Sequence, residues 1–439
     1  MKNAITVNMI VKDESASILK TLNSIKDFAD ILVVMDTGST DDTISKIEKF
    51  CDRVKMTLYL THGTFLNFEQ ARNDALMFAE SWDNVNGYIL ILDANDELRE
   101  GAYLRQLIKD EKLQNEGYYI NQDWQNGNEH SLYVNIKLIK SRKGWYWKGK
   151  VHETLYNDNL SQESEKLKSS VLIYQNRNEN CESSLKRLTR DIDVLLQDLK
   201  EVDKEENEAY YARILFYLGQ TYNCLSSIAE GEKKEEYWKL SLKYFKQRIK
   251  VNVHIEELYS SCEMCGDLSI LLKEENDTVI GYYLKCLEYQ PRAEPLIKIS
   301  IQYFLNKKFV LSYMFIGFAC RLEEPKNVFM YYNPKIYQFT RWYLLAISCL
   351  EIGKHNIEIF KAGIDALSIA RDCPDKNQSE TDDYEQLLSQ YKMIAYELKE
   401  KYYDKTFDPN YKDPDEVRPD NVIEENGVTT FKIGYPKEE

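Results

Sequence analysis

The sequence predicts an α/β domain built on a mixed, mostly parallel sheet, followed by an all-α region of helical repeats. Three observations carry this. From Ile5 to Leu92, short apolar runs rich in β-branched residues alternate with segments of helical periodicity. Strand-like runs then follow without regular helices between them, ending near Asn178. From Ser183 onward helical periodicity dominates.

Ile5–Val11 reads as the first strand. Glu14–Ile25 has helical spacing through Ile18, Leu19, Leu22 and Ile25. Ile31–Met35 is a second strand, and Thr40–Cys51 a helix with Thr40 or Asp41 as its N-cap. Val54–Leu60 alternates like a third strand, Phe68–Glu80 is helical, and Tyr88–Leu92 is a buried fourth strand. Strands separated by helices imply parallel pairing with both faces of the sheet covered. Tyr118–Gln122, Ser131–Lys140 and Ser169–Tyr174 are strands of the mixed end, which closes a domain over residues 1–178.

Helices are expected at Ser183–Lys200, Glu208–Leu225, Glu235–Val251, Ile255–Lys273, Thr278–Tyr289, Ala293–Asn306, Lys308–Leu322, Ile336–Gly353, Asn356–Arg371 and Asp382–Tyr403. Like helices recur at spacings typical of helix-turn-helix repeats, over residues 183–403. The segment Phe216-Tyr217-Leu218-Gly219-Gln220-Thr221-Tyr222 resembles the first helix of a tetratricopeptide repeat. Residues 404–439 are polar and read as an extended or mobile tail.

Composition narrows the function classes. The chain has 439 residues, 43% of them apolar and 29% charged, as in ordinary globular domains. Its net charge of −15 repels phosphate backbones, which argues against a nucleic-acid partner. No apolar run is long enough to span a membrane, and the first apolar run breaks at Lys12-Asp13-Glu14, so it reads as a strand rather than a signal peptide. Nine scattered cysteines do not form a disulfide framework. A reducing compartment is expected, the cytoplasm, of a host cell if the chain is viral. Cys262 and Cys265 lack a second pair and read as helix cysteines rather than a zinc site.

Chemistry-bearing residues gather where strands end, the place where open α/β sheets bind ligands. Asp36 follows the second strand in Asp36-Thr37-Gly38-Ser39-Thr40-Asp41-Asp42-Thr43 and suits a base or ribose; the alternative is a plain strand–helix loop. Arg72, followed by Asn73, suits a phosphate or an ion pair. Asp93-Ala94-Asn95-Asp96-Glu97 ends the fourth strand. Asp93 and Asn95 share one face and offer oxygen ligands to Mn²⁺ or Mg²⁺, while Asp96 and Glu97 suit a first helical turn. In Trp145-Tyr146-Trp147-Lys148-Gly149-Lys150-Val151-His152-Glu153, the aromatic rings can stack on sugars. His152 can ligate a metal, and Glu153 can act as a general base. A structural histidine is the alternative for His152.

Taken together and in order, Val7-Asn8-Met9-Ile10-Val11-Lys12-Asp13-Glu14, the DTGSTDDT stretch, Phe65-Leu66-Asn67-Phe68-Glu69-Gln70-Ala71-Arg72-Asn73, LDANDEL and the closing Val151-His152-Glu153 resemble family 2 glycosyltransferases of the GT-A fold. Sublancin-type peptide glycosyltransferases and some large-virus glycosyltransferases carry similar helical extensions. The resemblance implies donor binding by Val11, Asp36, Arg72 and Asp93, and a metal site of Asp93, Asn95 and His152. It leaves Glu153 and Asp96 as competing bases and puts Trp145 and Trp147 on the acceptor side.

It further implies an inverting, metal-dependent transfer from a nucleotide-sugar, a UDP-sugar first, to a glycan, protein or peptide. The helical region would present that acceptor or join two copies of the chain as a homodimer. Two departures stand out: Asp13 replaces the usual Asn, and Asn95 replaces the second acid of the metal motif, removing one negative charge. A scaffold with a weakened transferase domain is the alternative. A nucleotidyltransferase would need a Gly-rich phosphate loop that residues 8–20 lack.

Overall fold

Strand alternation explains the first sheet. In the computed structural model, Leu32 and Val34 point into one apolar cluster, while Ile31 and Val33 point into another. Leu90 and Ile89 divide in the same way. Successive strand residues face opposite sides, so each strand feeds two cores and must be apolar throughout. The structure describes residues 4–126, 129–159, 164–176, 181–325, 333–353, 356–374 and 376–402, and two strands at 422–425 and 428–431.

The parallel part consists of β1 (Thr6–Val11), α1 (Ile18–Ile25), β2 (Ile31–Asp36), α2 (Thr43–Val54), β3 (Thr57–His62), α3 (Phe68–Glu80) and β4 (Tyr88–Ile91). The mixed part adds β5 (Glu97–Arg99), α4 (Gly101–Lys109), β6 (Gly117–Asn126), β7 (Glu129–Lys140), β8 (Tyr146–Lys148), β9 (Thr154–Tyr156), β10 (Glu165–Lys166) and β11 (Leu172–Asn176). The strand order is β3-β2-β1-β4-β7-β6-β11-β5, with β10 beside β6. β3, β2, β1 and β4 run parallel; β7 pairs antiparallel with both β4 and β6. The order reverses at β1, which opens a crevice at the carboxyl ends of β1, β2 and β4.

Several expected boundaries are corrected. Glu97 does not open a helix: Glu97–Arg99 pairs with β11, and the helix after it begins at Gly101. The second helix starts at Thr43, after both expected caps. Asp41 still serves that end, because its Oδ1 accepts the Thr43 amide at 2.9 Å. Val54 ends α2 instead of opening the third strand. The helix α4, whose Gly101, Leu104 and Ile108 form its buried face, was not singled out in the sequence; the strands of the β8–β9 hairpin, three residues each, are too short to show a period.

Beyond the sheet lie α5 (Cys181–Glu201), α6 (Glu208–Ile228), α7 (Gly231–Arg248) and α8 (Ile255–Leu271). These helices and the sheet fall within one compact unit that runs through Lys273. Gly219 on α6 leaves room for Phe245 on α7, where an added Cβ would meet the ring at 2.8 Å. That close approach explains the aromatic–small–aromatic segment. Cys262 and Cys265 are wholly buried on α8.

A second unit starts at Glu274. It contains α9 (Asn276–Tyr289), α10 (Ala293–Leu305), α11 (Phe309–Arg321), a π-helical turn (Ile336–Thr340), α12 (Arg341–Gly353), α13 (Ile357–Arg371) and α14 (Gln378–Tyr402). The punctuation around Arg292 becomes a buried knot. Arg292 Nη2 donates to Glu294 Oε1 at 2.5 Å, and the Tyr337 hydroxyl donates to Glu294 Oε2 at 2.8 Å. The tail assigned to 404–439 lies largely outside the described residues; within it Val422–Glu425 and Val428–Phe431 pair antiparallel. No described helix is long and apolar enough to cross a membrane.

Candidate active site

Parallel register places the first two donor-side residues together. Val11 at the end of β1 is the partner of Asp36 at the end of β2, and Asp36 is the partner of His62 on β3. Asp36 is buried. Its Oδ1 accepts the Ser39 amide at 2.9 Å, and its Oδ2 lies 3.0 Å from His62 Nδ1. Burial raises its pKa, but the hydrogen bonds from Ser39 and His62 outweigh this and hold it below the ordinary value.

Asp13, the first departure from the family pattern, has a left-handed φ of 52° and accepts the Thr40 amide at 2.6 Å. Asn tolerates that conformation and offers the same acceptor oxygen, so the exchange leaves the loop contact possible.

Arg72 is the hub of the site. It is 8% exposed on α3. Its Nη2 donates to Asp93 Oδ1 at 2.6 Å, and its Nε donates to Glu153 Oε1 at 2.5 Å. Its guanidinium also lies 4.9 Å from the centre of the Trp147 ring. Burial opposes its charge, but the two carboxylates dominate and push its pKa up. The two acidic motifs thus meet on one buried cation, although no local pattern marks Arg72 and Glu153 as partners.

The Asp93–Asp96 segment divides into open and closed positions. Asp93 is about one-third exposed and Asn95 is exposed, whereas Asp96 is wholly buried. Asp96 Oδ2 accepts the Asp93 amide at 2.9 Å, and Asp96 Oδ1 accepts from Gln175 Nε2 at 3.1 Å. Gln175 also donates to Asn95 Oδ1 at 2.6 Å. Buried Lys137 lies 4.0 Å from Asp93 Oδ2. Lys137 and Gln175 were not singled out in the sequence. A lysine inside the apolar run of β7 was the available signal for the first; nothing marked the second.

Burial, and then the charge of Asp93, push Asp96 up to about 6. A carboxyl group with a raised folded-state pKa favours folding in its acid form. That stabilisation is full below the unfolded-state pKa near 4 and is lost as pH rises through about 6. Wild-type stability relative to Asp96→Asn is therefore expected to fall between about pH 4 and pH 6. Denaturant titrations of both proteins at several pH values measure the difference. A constant difference would exclude a raised pKa.

The β8–β9 hairpin presents His152 and Glu153. Asn73 fixes its first strand: Asn73 Nδ2 donates to the Trp147 carbonyl at 2.9 Å, and the Trp147 amide donates to Asn73 Oδ1 at 2.8 Å. Glu69 accepts the Gly149 amide at 2.6 Å. His152 is exposed, with a left-handed φ of 51°, and its ring stacks on Tyr217 at 4.0 Å. Trp145 and Trp147 are corrected. Both are 5% exposed and pack in the core with Ile89 and Ile139, so their rings are core surfaces rather than an acceptor platform. Alternation sends Tyr146 outward, where its hydroxyl donates to Asp158 Oδ2 at 3.0 Å.

Residues 6–163 match the model described as "Glycosyl transferase family 2". The match contains Val11, Asp36, Arg72, Asp93, Asn95, His152 and Glu153. The N-terminal region is a glycosyl transferase family 2 domain.

Similar proteins bracket this family 2 domain and its helical extension. The SPbeta prophage-derived glycosyltransferase SunS of Bacillus subtilis (strain 168) is 24% identical over 304 residues, covering 68% of this chain and 65% of that protein. The chain therefore spans just under two thirds of that relative. An uncharacterized glycosyltransferase of Rickettsia conorii is 33% identical over 94 residues, covering 21% of this chain and 29% of its own length. Among solved structures, S. aureus TarS 1-349 aligns at 15% identity with a TM-score of 0.37, covering 63% of this chain and 89% of that one.

Proposed function

We propose that the protein is an inverting glycosyltransferase that moves a sugar from a nucleotide-sugar, a UDP-sugar first, to a hydroxyl or thiol of an acceptor. A polypeptide acceptor presented by the helical region is the form we favour. The observation that carries this reading is the convergence of Asp93, Arg72 and Glu153 beside the strand ends that hold Val11 and Asp36. The family 2 match over residues 6–163 supports it.

In this mechanism the nucleoside lies against Val11 and Asp36, whose carboxylate retains acceptor capacity beyond its Ser39 and His62 contacts. The diphosphate lies toward Asp93, where Arg72 and Lys137 are the neighbouring cations. Glu153 takes the acceptor proton as the acceptor attacks the anomeric carbon, and the sugar–phosphate bond breaks on the opposite face. Arg72 engages Oε1 of Glu153; its other oxygen is the proton acceptor. Asp96 holds the Asp93–Asp96 turn from within.

Mn²⁺ or Mg²⁺ fits the donor set, but with few charges. Asp93 and Asn95 are solvent-accessible oxygen donors of the kind hard cations take, and together they carry one negative charge. Among the described residues, no group of three or more His, Cys, Asp or Glu side chains forms a metal site. Asp93, Asn95 and, as a third ligand, His152 would hold the ion, which when bound would neutralise charge on the leaving diphosphate.

A thermal-shift screen of UDP-, GDP- and dTDP-sugars with Mn²⁺ tests the donor. A donor at a hundred times its Kd stabilises the fold by about 2.7 kcal/mol. Stabilisation by none of them would overturn the reading. Asn95→Asp is expected to tighten Mn²⁺ binding; unchanged metal dependence would remove Asn95 from the ligand set.

One observation favours a second reading, a donor-binding scaffold: the Asn95 carbonyl already accepts from Gln175. Donor stabilisation without transfer or hydrolysis would select it.

A further inference from the structure

We infer that helices α5–α8 complete the active site, and that Tyr217 and Arg213 on α6 are positioning residues for the loop carrying His152 and Glu153. The inference rests on Glu153 acting as the base. It assigns these helices a role other than displaying an acceptor.

The loop between β8 and β9 has little structure of its own. Gly149 and His152 both take left-handed backbone conformations, with φ of 114° and 51°. For histidine such a conformation persists only where surrounding contacts hold it. From α3, Glu69 accepts the Gly149 amide and the Phe68 amide donates to the Lys150 carbonyl at 3.2 Å; the other contacts come from the helices beyond the sheet. Lys148 Nζ donates to Asn207 Oδ1 at 2.6 Å, just before α6. Lys150 Nζ lies 2.7 Å from both Asp198 and Glu201 on α5. Val151 is buried in the apolar cluster formed by α5, α6 and α7.

Two contacts reach the chemistry. The His152 ring lies parallel to Tyr217, at 4.0 Å and 4°. Arg213 Nη2 donates to the His152 carbonyl at 3.3 Å and to the Tyr217 hydroxyl at 3.2 Å. Arg213 is itself anchored: its Nη1 donates to Glu257 Oε1 at 3.1 Å, and Glu257 pairs with the wholly buried Arg248. A chain of contacts thus runs from α7 and α8 through α6 to the residue before Glu153. At the other end, Arg72 grips Glu153.

The test uses the full chain with Tyr217→Leu, Tyr217→Phe and Arg213→Met. Trypsin cleaves after lysine, so nicking after Lys148 or Lys150, mapped by mass spectrometry, reports release of the loop without any donor. Tyr217→Leu and Arg213→Met are expected to be nicked there faster than wild type well below the Tm of each variant, with no faster cleavage elsewhere in the chain; Arg213→Met is also expected to lower Tm, because it leaves Glu257 with one buried cation instead of two. Tyr217→Phe, which keeps the stack, is expected to restore most of the protection.

With the donor identified by thermal shift, kcat is expected to fall on the order of 10²-fold in Tyr217→Leu, because a small misplacement of a reacting group costs that much. Donor Kd measured without metal is expected to hold, because the contacts of Val11, Asp36 and Asp93 lie outside the loop. Nicking and kcat at wild-type values in both Tyr217→Leu and Arg213→Met would overturn the proposal. So would faster nicking with unchanged kcat. Faster nicking in a chain whose wild type turns over no donor would overturn the transferase reading and leave the loop contacts standing.

Discussion

Glu153→Gln is expected to lower kcat by roughly 10²- to 10⁴-fold, the usual contribution of a positioned general base. The change keeps the side-chain shape and removes the proton-accepting charge. Donor binding, measured as the thermal shift with UDP-sugar, is expected to remain, because the donor-side contacts arise from Val11, Asp36 and Asp93. Asp96→Asn supplies the contrast. Asp96 is wholly buried and holds the Asp93 amide, so its loss is expected to act through stability and donor binding. A collapse of kcat in Asp96→Asn, with Glu153→Gln near wild type, would reverse the assignment of the base.

The second large effect is expected at Arg72. Arg72→Ala removes one buried cation from two carboxylates, and the Glu153 side chain is only 12% exposed. Breaking a buried pair from one side costs on the order of 3–5 kcal/mol, because the remaining charge stays desolvated without its partner. For a unit of this size the loss corresponds to a drop in Tm on the order of 10 °C. Combining Arg72→Ala with Glu153→Gln is expected to recover part of that loss, since the stranded charge is then gone. A double variant no more stable than Arg72→Ala would show that repulsion around Glu153 is not the cause. Arg72→Lys retains the charge but not the two-armed geometry and is expected to be intermediate.

The departures from the family pattern are of different kinds. Asp13 is compatible with its loop, because the left-handed φ and the acceptor oxygen are what that position uses. Asn95 changes the charge of an open position and carries the expectation of weak metal binding. The two acidic residues at Asp93 and Asp96 are separated by burial: Asp93 faces the crevice, and Asp96 ties the turn together.

Much was legible in the sequence because its cause is local. Alternation with period two and helical spacing near 3.6 residues follow from backbone geometry, so the strands through Ile91 and most helices could be read from single segments. The site motifs were legible because strand ends are where a parallel sheet exposes polar residues. Glu97 was misread because a carboxylate suits both a first helical turn and an edge strand, and only pairing with β11 decides.

The tertiary structure alone decided which motifs touch. Arg72 meets Glu153 across 81 positions of chain and Asp93 across 21, and no local pattern encodes such a pairing. It buried Trp145 and Trp147, because aromatic rings are equally suited to a core and a sugar face, and the sheet supplied the core. It also joined α5–α8 to the loop of His152 and Glu153. The sequence determined a sheet domain, its strand-end motifs and a helical region. Packing decided that the first helices hold the loop of His152 and Glu153, since such contacts depend on the summed geometry of the whole unit.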